Sequence, residues 1–235
     1  MKTFGISDTG LVRKKNEDRY LIKKTSKGGL LLAVADGLGG ETAGDFAAEI
    51  TRDSLAVMNP KPKDIEHQLS CLITQADRDI WDHVADHCSL EGMGTTITGV
   101  LIYDKTAHWV HVGDSRLYLL RNNKLGVITI DQNMAQFLVE EGEISEDEVR
   151  THPSRNQLDQ CVGCGTCEPE TGNFKIKKGD QLILSTDGLH DEISGSLLSQ
   201  IVTSESDIET KARKLIKAAL KAGGRDNITV VIAEI

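Results

Sequence analysis

Three strongly apolar segments of this sequence each meet an aspartate at one end. "LLLAVA" runs directly into Asp36, "LILST" runs into Asp187, and Asp226 directly precedes "NITVVIAEI". Such apolar runs are typical of buried strands, so the three aspartates are expected at strand ends. Carboxylates gathered at one end of a sheet repel one another in a low-dielectric setting, and cations between them would offset that repulsion. The pattern therefore favours a fold with a shared metal site.

The residue types indicate which metal. Oxygen ligands with no histidine among them favour hard cations such as Mg²⁺ or Mn²⁺. Taken singly, each aspartate is also a common turn or cap residue, since Asp-Gly is a frequent turn dipeptide. Their joint pattern is what indicates metal binding. Further acidic candidates are Glu17, Asp18, Asp114 and Asp191.

Hydrophobic periodicity predicts an α+β fold. Apolar residues recur every three or four positions from Ile65 to Val84 and from Ile208 to Ala219, and a further helix is predicted from Ala43 to Val57. Strands are predicted at 19–25, 29–35, 94–104, 107–114, 115–123, 173–188 and 227–235. The strands at 107–114 and 115–123 adjoin at "GDS", which predicts a hairpin. Because strands and helix pairs are segregated, helices packed on antiparallel sheets are expected.

Bulk properties exclude several classes of protein. The 235 residues carry a net charge of −9, which disfavours nucleic acid or an anionic membrane as the main partner. No secretory signal and no run long enough to span a bilayer is visible, so a cytoplasmic protein is expected. Without repeats or a linker, 1–235 is predicted to be a single domain. It contains a polar, irregular segment at about 131–170, with short helices at 134–142 and 145–150.

Six motifs in order resemble one family. They are "SDTGLVRKKNED", "VADGLGG", "GTT", "VHVGDSRLYLL", "LILSTDGLHDEIS" and "GGRDNITVVI". In this order and spacing the chain resembles the short bacterial form of the metal-dependent type 2C protein serine/threonine phosphatases. The resemblance implies a four-layer α-β-β-α sandwich, in which antiparallel helix pairs flank two antiparallel sheets.

The resemblance also implies roles for individual residues. Asp36 would bridge two Mg²⁺ or Mn²⁺ ions, one of them also bound by the Gly37 carbonyl, and Asp187 and Asp226 would complete the other. Glu17 and Asp18 would hold metal-bound waters. Asp114 and Asp191 match positions that bind a third, weaker metal, and Arg13 matches the arginine that grips the substrate phosphate.

These residue types suit phosphate hydrolysis. Two divalent cations lower the pKa of a bridging water, which then attacks phosphorus in line without a covalent intermediate. The guanidinium of Arg13 offers a planar fork to two phosphate oxygens. Without the resemblance, Arg13 would instead be interpreted as part of a solvated basic turn with Lys14 and Lys15.

Three positions depart from the family pattern. Leu38 stands where some members have a histidine proposed as the acid for the leaving oxygen, so a metal-bound water would take that role. Asp131, Gln132 and Asn133 replace an Asp-His-Ser sequence next to the expected flap.

The third departure is "CVGCGTC", in which Cys161, Cys164 and Cys167 are spaced C-x₂-C-x₂-C. Unligated thiols, a redox-sensitive pair and a bound zinc or iron all remain open. His152 and Cys88 are the candidates for a fourth ligand of such a metal.

Partners and competing functions follow from the same residues. The resemblance implies phosphoprotein substrates and an opposing Ser/Thr kinase. The oligomeric state is left open by the sequence, with a monomer as the default expectation. A nucleotide-binding protein is disfavoured, because the glycine-rich loop lacks the dinucleotide fingerprint and no P-loop occurs. A catalytically inactive binding module and a redox or metal sensor built on the cysteines are two further hypotheses.

Overall fold

The structure is a computed structural model that describes residues 1–39, 43–61, 63–87, 90, 92–149 and 151–235. Cys88, one of the candidate metal ligands, lies outside the described residues. None of the helices within these ranges combines the length and the apolar character needed to cross a lipid bilayer.

Twelve strands and seven helices occur in the described residues. The strands are β1 Lys2–Asp8, β2 Arg19–Lys24, β3 Leu30–Ala35, β4 Gly37–Leu38, β5 Gly94–Thr95, β6 Ile97–Tyr103, β7 Thr106–Val112, β8 Arg116–Arg121, β9 Lys124–Val127, β10 Glu170–Lys175, β11 Gln181–Ser185 and β12 Ile228–Glu234. The helices are α1 Gly44–Ala56, α2 Ile65–Asp86, α3 Met134–Glu140, α4 Glu146–Val149, α5 Asp187–His190, α6 Gly195–Val202 and α7 Ile208–Ala222.

The strands form two five-stranded antiparallel sheets. The first has the order β1-β12-β11-β8-β9 and the second the order β10-β7-β6-β3-β2. Helices α1 and α2 pack on the second sheet, and α7 packs on the first with α6 beside it. The strands β4 and β5 pair separately, beside the end of β3. The predicted α+β sandwich of four layers is confirmed.

Alternation along the buried strands explains the layering. In β3, Leu31 and Ala33 pack toward α1 and α2, whereas Leu32 and Val34 pack between the two sheets. In a pleated strand, successive side chains point to opposite faces. A strand with an unbroken apolar run therefore packs against an apolar layer on each face. The strand β12 does the same for the layer between the sheets and the layer under α7.

The predicted hairpin at "GDS" is wrong. The strands β7 and β8 belong to different sheets, and the chain crosses between them at Gly113, Asp114 and Ser115. Gly113 has φ +99° and its N–H donates to Oε1 of Gln132, 2.8 Å away, so its backbone leaves the ladder. Two-residue hairpin turns do occur at 104–105, between β6 and β7, and at 122–123, between β8 and β9. Both residues of each turn have positive φ, which is typical of tight hairpins.

The long segment 131–170 contains the two predicted short helices, α3 and α4. Asn133 caps α3 by accepting a hydrogen bond from the Gln136 N–H, 3.0 Å away. Farther along, Val162 forms an isolated bridge with Thr95. The segment is thereby joined to the short ladder of β4 and β5.

Candidate active site

A cavity of about 190 Å³ lies where β3 ends and the two sheets meet. Seven of the nine predicted site residues line it: Arg13, Glu17, Asp36, Gly37, Asp114, Asp187 and Asp226. Asp191 lines a neighbouring cavity of about 370 Å³, which shares Arg13, Asp187 and Asp226 with the first. Asp18 is buried beside the site. Residues scattered from position 13 to position 226 therefore converge on one end of the sandwich.

Backbone hydrogen bonds fix Asp36 just beyond β3. Its N–H donates to Oγ1 of Thr96 at 3.1 Å, and its carbonyl accepts from the Thr96 N–H at 2.9 Å and from Oγ1 of Thr95 at 2.7 Å. The Asp36 carboxylate is thereby held rigidly at the cavity wall.

Gly37 is required by close packing. A Cβ atom at this position would collide with the carbonyl of Gly44 in α1 and would lie 2.8 Å from the carbonyl oxygen of Glu17. Any side chain would therefore push α1 away from the end of β3. The glycine keeps the loop backbone at the cavity, where its carbonyl can serve as a ligand.

Asp187 and Asp226 come from adjacent strands of the first sheet. Asp187 follows β11 as the first residue of α5, and Asp226 precedes β12, which pairs with β11. Oδ1 of Asp226 accepts a hydrogen bond from the Asn227 N–H at 2.8 Å. The register of the sheet places both carboxylates at one edge.

Burial and mutual repulsion weaken three of the acids at the site, Asp36, Asp114 and Asp187. Burial raises the pKa of Asp187 to about 6. Burial, with the negative charges of Asp18 and Asp187 nearby, raises the pKa of Asp36 well above its usual range. The same causes raise the pKa of Asp114, which faces Asp187 and Asp131. The site therefore concentrates acidic groups that resist simultaneous ionisation.

Asp18 is anchored beneath the cavity by two threonines. Oγ1 of Thr186 donates to its Oδ2 at 2.9 Å, and Oγ1 of Thr229 donates to the same oxygen at 2.6 Å. Burial nevertheless raises the pKa of Asp18 to about 7, against the effect of both hydrogen bonds.

Three buried carboxylate oxygens at this site have no hydrogen-bond partner. They are Oε1 of Glu17, Oδ1 of Asp18 and Oδ1 of Asp187. A buried acceptor without a donor costs free energy, and a cation or a water bound to a cation would satisfy it. The donor set of hard oxygens and this unmet demand both fit Mg²⁺ or Mn²⁺.

The carboxylates as placed engage other partners. Asp36 and Asp187 hydrogen-bond to each other, and Asp226 accepts from Arg13. Accordingly, within the described residues no group of three or more His, Cys, Asp or Glu side chains is arranged as a metal cluster. Metal binding therefore requires these carboxyl groups to be ionised and turned toward the ion.

Arg13 lies at the mouth of the cavity. Its guanidinium is half-exposed, and Nη2 donates to Oδ2 of Asp226 at 2.7 Å. That hydrogen bond, with the charges of Asp226, Asp36 and Asp187, raises the pKa of Arg13. The charged fork therefore faces the same space as the carboxylates.

The two residues predicted to bind a third metal flank the central carboxylates. Asp114 is buried at the crossing between β7 and β8, and Asp191 caps the C-terminus of α5. Nε of Arg155 lies 3.7 Å from Oδ2 of Asp191, so the segment 131–170 reaches this side of the site.

Comparison with known proteins identifies the chain. The family model described as Protein phosphatase 2C matches residues 12–223. The chain belongs to the protein phosphatase 2C family. The match includes every residue that lines the cavity except Asp226 and Asn227, which lie three and four residues beyond its end.

Two curated members of the family illustrate the similarity. The serine/threonine protein phosphatase PstP of Mycobacterium tuberculosis is 36% identical over 231 residues, which are 97% of this chain and 44% of that protein. The chain thus spans less than half the length of PstP. Protein phosphatase PhpP of Streptococcus pneumoniae is 31% identical over 237 residues, 97% of this chain and 94% of that protein.

Solved structures in the family share the fold. The crystal structure of the M. tuberculosis phosphatase PstP/Ppp matches with a TM-score of 0.92 at 34% identity, covering 100% of this chain and 98% of that one. The PstP catalytic domain in complex with two manganese ions matches with a TM-score of 0.88 at 33% identity, covering 99% and 97%.

The structure shows what surrounds the residues that depart from the family pattern. Leu38 lines the cavity with an apolar side chain. Gln132 accepts from the Gly113 N–H and thereby stabilises the crossing between the sheets. Asp131 is partly buried, which opposes its ionisation, but two hydrogen bonds from Arg116 at 2.7 and 2.6 Å lower its pKa.

Several residues that support the site were not predicted from the sequence. Asn227 accepts from the Glu17 N–H at 2.8 Å and donates to the carbonyls of Thr9 and Lys15 at 2.9 and 3.0 Å. Asn227 thereby joins the loop 9–17, which carries Arg13, to the start of β12. In the sequence, only its position next to Asp226 indicates this role. Thr186 and Thr229 look like ordinary strand residues, so nothing in the sequence indicates that they anchor Asp18.

Proposed function

We propose that this chain hydrolyses phosphoserine and phosphothreonine in proteins, with two Mg²⁺ or Mn²⁺ ions as cofactors. The observation that carries the proposal is the convergence of Asp36, Asp187 and Asp226 with Arg13 around one cavity. Family membership and the naming of PstP and PhpP as protein phosphatases support it.

Asp36, the Gly37 carbonyl, Asp187 and Asp226 are proposed to hold the two ions. The structure of the PstP catalytic domain with two manganese ions supports this number. When bound, such ions activate a water that bridges them and offset charge on the phosphoryl oxygens. Asp114 and Asp191 are proposed to bind a third, weaker ion.

The protein's own residues position the reaction. Arg13 binds two phosphate oxygens with its planar guanidinium, of which Nη2 also donates to Asp226. Glu17 and Asp18 accept hydrogen bonds from ordered water at the floor of the site, because each has an unpaired buried oxygen. Leu38 cannot donate a proton, so the leaving oxygen takes its proton from water.

The wider assignment follows from the same site. The chain is proposed to be a single catalytic domain, 1–235, with 131–170 as a flap over the cavity. Its negative charge supports the interpretation that it acts on phosphoproteins rather than nucleic acid. A Ser/Thr kinase that supplies the phosphoprotein, a monomeric state and a cytoplasmic location complete the proposal.

The test is hydrolysis of a phosphothreonine peptide with Mn²⁺, with Mg²⁺ and with chelator. Asp187→Asn is compared with Asp79→Asn, which alters an exposed carboxylate on α2. Metal-dependent activity that is lost in Asp187→Asn and kept in Asp79→Asn is expected. A folded, metal-binding wild type without activity would refute the proposal and favour an inactive binding module.

A further inference from the structure

The loop 161–167 carries three cysteines that the proposed reaction does not use. Sγ of Cys161 donates to Sγ of Cys164 across 2.8 Å, and both residues are half-buried. Cys167 is only 7% exposed and contributes to the apolar layer under α2. The geometry therefore singles out a pair of thiols rather than a set of three.

The two paired thiols differ in acidity. The hydrogen bond from Cys161 lowers the pKa of Cys164 to about 7 and, for the same reason, raises the pKa of Cys161. Burial raises the pKa of Cys167 to about 12. Because the thiolate is the reactive form, Cys164 is the expected nucleophile and Cys161 the expected resolving thiol.

Hydrogen bonds hold the loop in the shape that brings these sulfurs together. Oδ1 of the buried Asp77 accepts from the N–H groups of Gly163 and Gly165 at 2.7 and 3.1 Å. Gly163 has φ +110°, and a Cβ there would lie 2.6 Å from Cγ2 of Ile80. The backbone conformation of the loop therefore holds the sulfurs of Cys161 and Cys164 close together.

The cysteine loop is joined directly to the candidate active site. Val162 and Thr95 exchange two backbone hydrogen bonds of 2.9 and 2.8 Å. Thr95 in turn pairs with Gly37, and its Oγ1 donates to the Asp36 carbonyl. One strand residue therefore separates Val162 from the two residues at the centre of the cavity.

We propose that Cys161 and Cys164 are a reversible redox pair whose disulfide lowers the activity of the adjacent site; the effect on activity rests on the proposed function. The oxidant class is hydrogen peroxide. The Cys164 thiolate attacks one peroxide oxygen, the O–O bond breaks, and hydroxide leaves to become water. The Cys161 sulfur then attacks Sγ of the sulfenic acid, an S–S bond forms, and a second water leaves with the Cys161 proton. Two thiols and one peroxide thus yield one disulfide and two waters.

Disulfide formation must act on Val162. The bond would shorten the Sγ–Sγ distance from 2.8 Å to about 2.05 Å and close a ring that contains Val162 and Gly163. Because Val162 is bonded on both sides to Thr95, the constraint passes to the β4–β5 ladder that carries Gly37.

The first experiment maps the disulfide in a Cys71→Ser, Cys88→Ser background, which leaves only the loop cysteines. Trypsin places all three on one peptide, residues 156–175. After peroxide treatment this peptide is expected to lose two hydrogens, with fragmentation assigning the bond to Cys161 and Cys164. A bond to Cys167, oxidation to sulfinic acid alone, or stoichiometric zinc or iron in the untreated protein would overturn the proposal.

The second experiment measures phosphopeptide hydrolysis before and after peroxide, and again after dithiothreitol. Activity is expected to fall by about fivefold or more and then to recover, as for an ordinary coupling between sites. Cys161→Ser and Cys164→Ser should not show a dithiothreitol-reversible fall, whereas Cys71→Ser should. A disulfide that forms without a change in activity overturns the regulatory role. A reduced wild type without activity would instead refute the proposed function, and the mapping would still report on the redox pair.

Discussion

Nη2 of Arg13 lies 2.7 Å from Oδ2 of Asp226, a residue 213 positions away in the chain. The proposed phosphate ligand is therefore paired with a proposed metal ligand. A substrate phosphate would compete with Asp226 for Arg13, and a metal ion would compete with Arg13 for Asp226. The guanidinium of Arg13 therefore faces both the Asp226 carboxylate and the position proposed for the phosphate, so the pair links substrate binding to the state of the metal site.

Arg13→Ala should reduce kcat/KM on a phosphothreonine peptide. Loss of charge-assisted hydrogen bonds of about 1.5–3 kcal/mol corresponds to a fall of roughly ten- to a hundredfold. Steady-state kinetics at saturating Mn²⁺ measures it. Arg213→Ala is the matched control, because Arg213 is exposed on α7 and pairs only with Glu209 among the ion pairs of the described residues. An Arg13→Ala variant with wild-type kcat/KM would contradict the assignment.

Mn²⁺ should raise the melting temperature more above pH 7 than at about pH 5. Burial raises the pKa of Asp187 to about 6 and that of Asp36 well above its usual range, so protons compete with the metal as the pH falls. Thermal melts with and without the ion, across that range, measure the effect. The shift should be small at every pH in Asp187→Asn. A shift that is independent of pH in the wild type would count against metal binding by these carboxylates.

With chelator present, the wild type should lose stability as the pH rises from about 4 to about 7. Asp18 has a pKa of about 7 in the fold, above its ordinary value, so the folded state holds a proton that the unfolded state has released. The folded state is therefore favoured at the acidic end of this window. Asp18→Asn should flatten the profile in urea unfolding, and Asp79→Asn should not. Parallel profiles for wild type and Asp18→Asn would contradict the prediction.

Asp77→Ala should lower the free energy of unfolding by about 1–3 kcal/mol, because it leaves the buried N–H of Gly163 and the N–H of Gly165 without their acceptor. Urea unfolding of the reduced protein is the measurement. Asp79→Ala, two residues along the same helix and exposed, should change stability by much less. Equal effects from both substitutions would show that Asp77 does not anchor the loop.

The sequence predicted five of the seven helices in the described residues and the buried strands, because their signals are local; α5 and α6 were not predicted. Periodic apolar residues set α2 and α7, and unbroken apolar runs set β3 and β12. The strand β1 was not predicted, since its residues are mostly half-buried and its pattern becomes meaningful only beside β12. The crossing at Gly113 was misjudged because a turn signal does not reveal whether the next strand joins the same sheet.

The acidic residues of the candidate site could be predicted from the sequence. The residues that hydrogen-bond to them and hold them in place could not. Strand-end aspartates such as Asp36 are visible in the sequence, and family resemblance supplied their roles. The threonines that hold Asp18 are not visible, because a strand threonine has the same pattern whether it anchors a carboxylate or fills a core. Whether Cys161 meets Cys164 also depends on the loop shape that Asp77 imposes.

The pairing of β1 with β12 makes the candidate site a late product of synthesis. Lys2 pairs with Glu234, so β1 lacks its partner strand in the sheet until β12 has left the ribosome. Closing so long a loop is slow, and Asp226 and Asn227 reach the cavity only with that strand. A nascent chain therefore holds Arg13 and Asp36 long before it can hold a complete set of ligands. The proposed set of metal ligands is therefore complete only once β12 has been made.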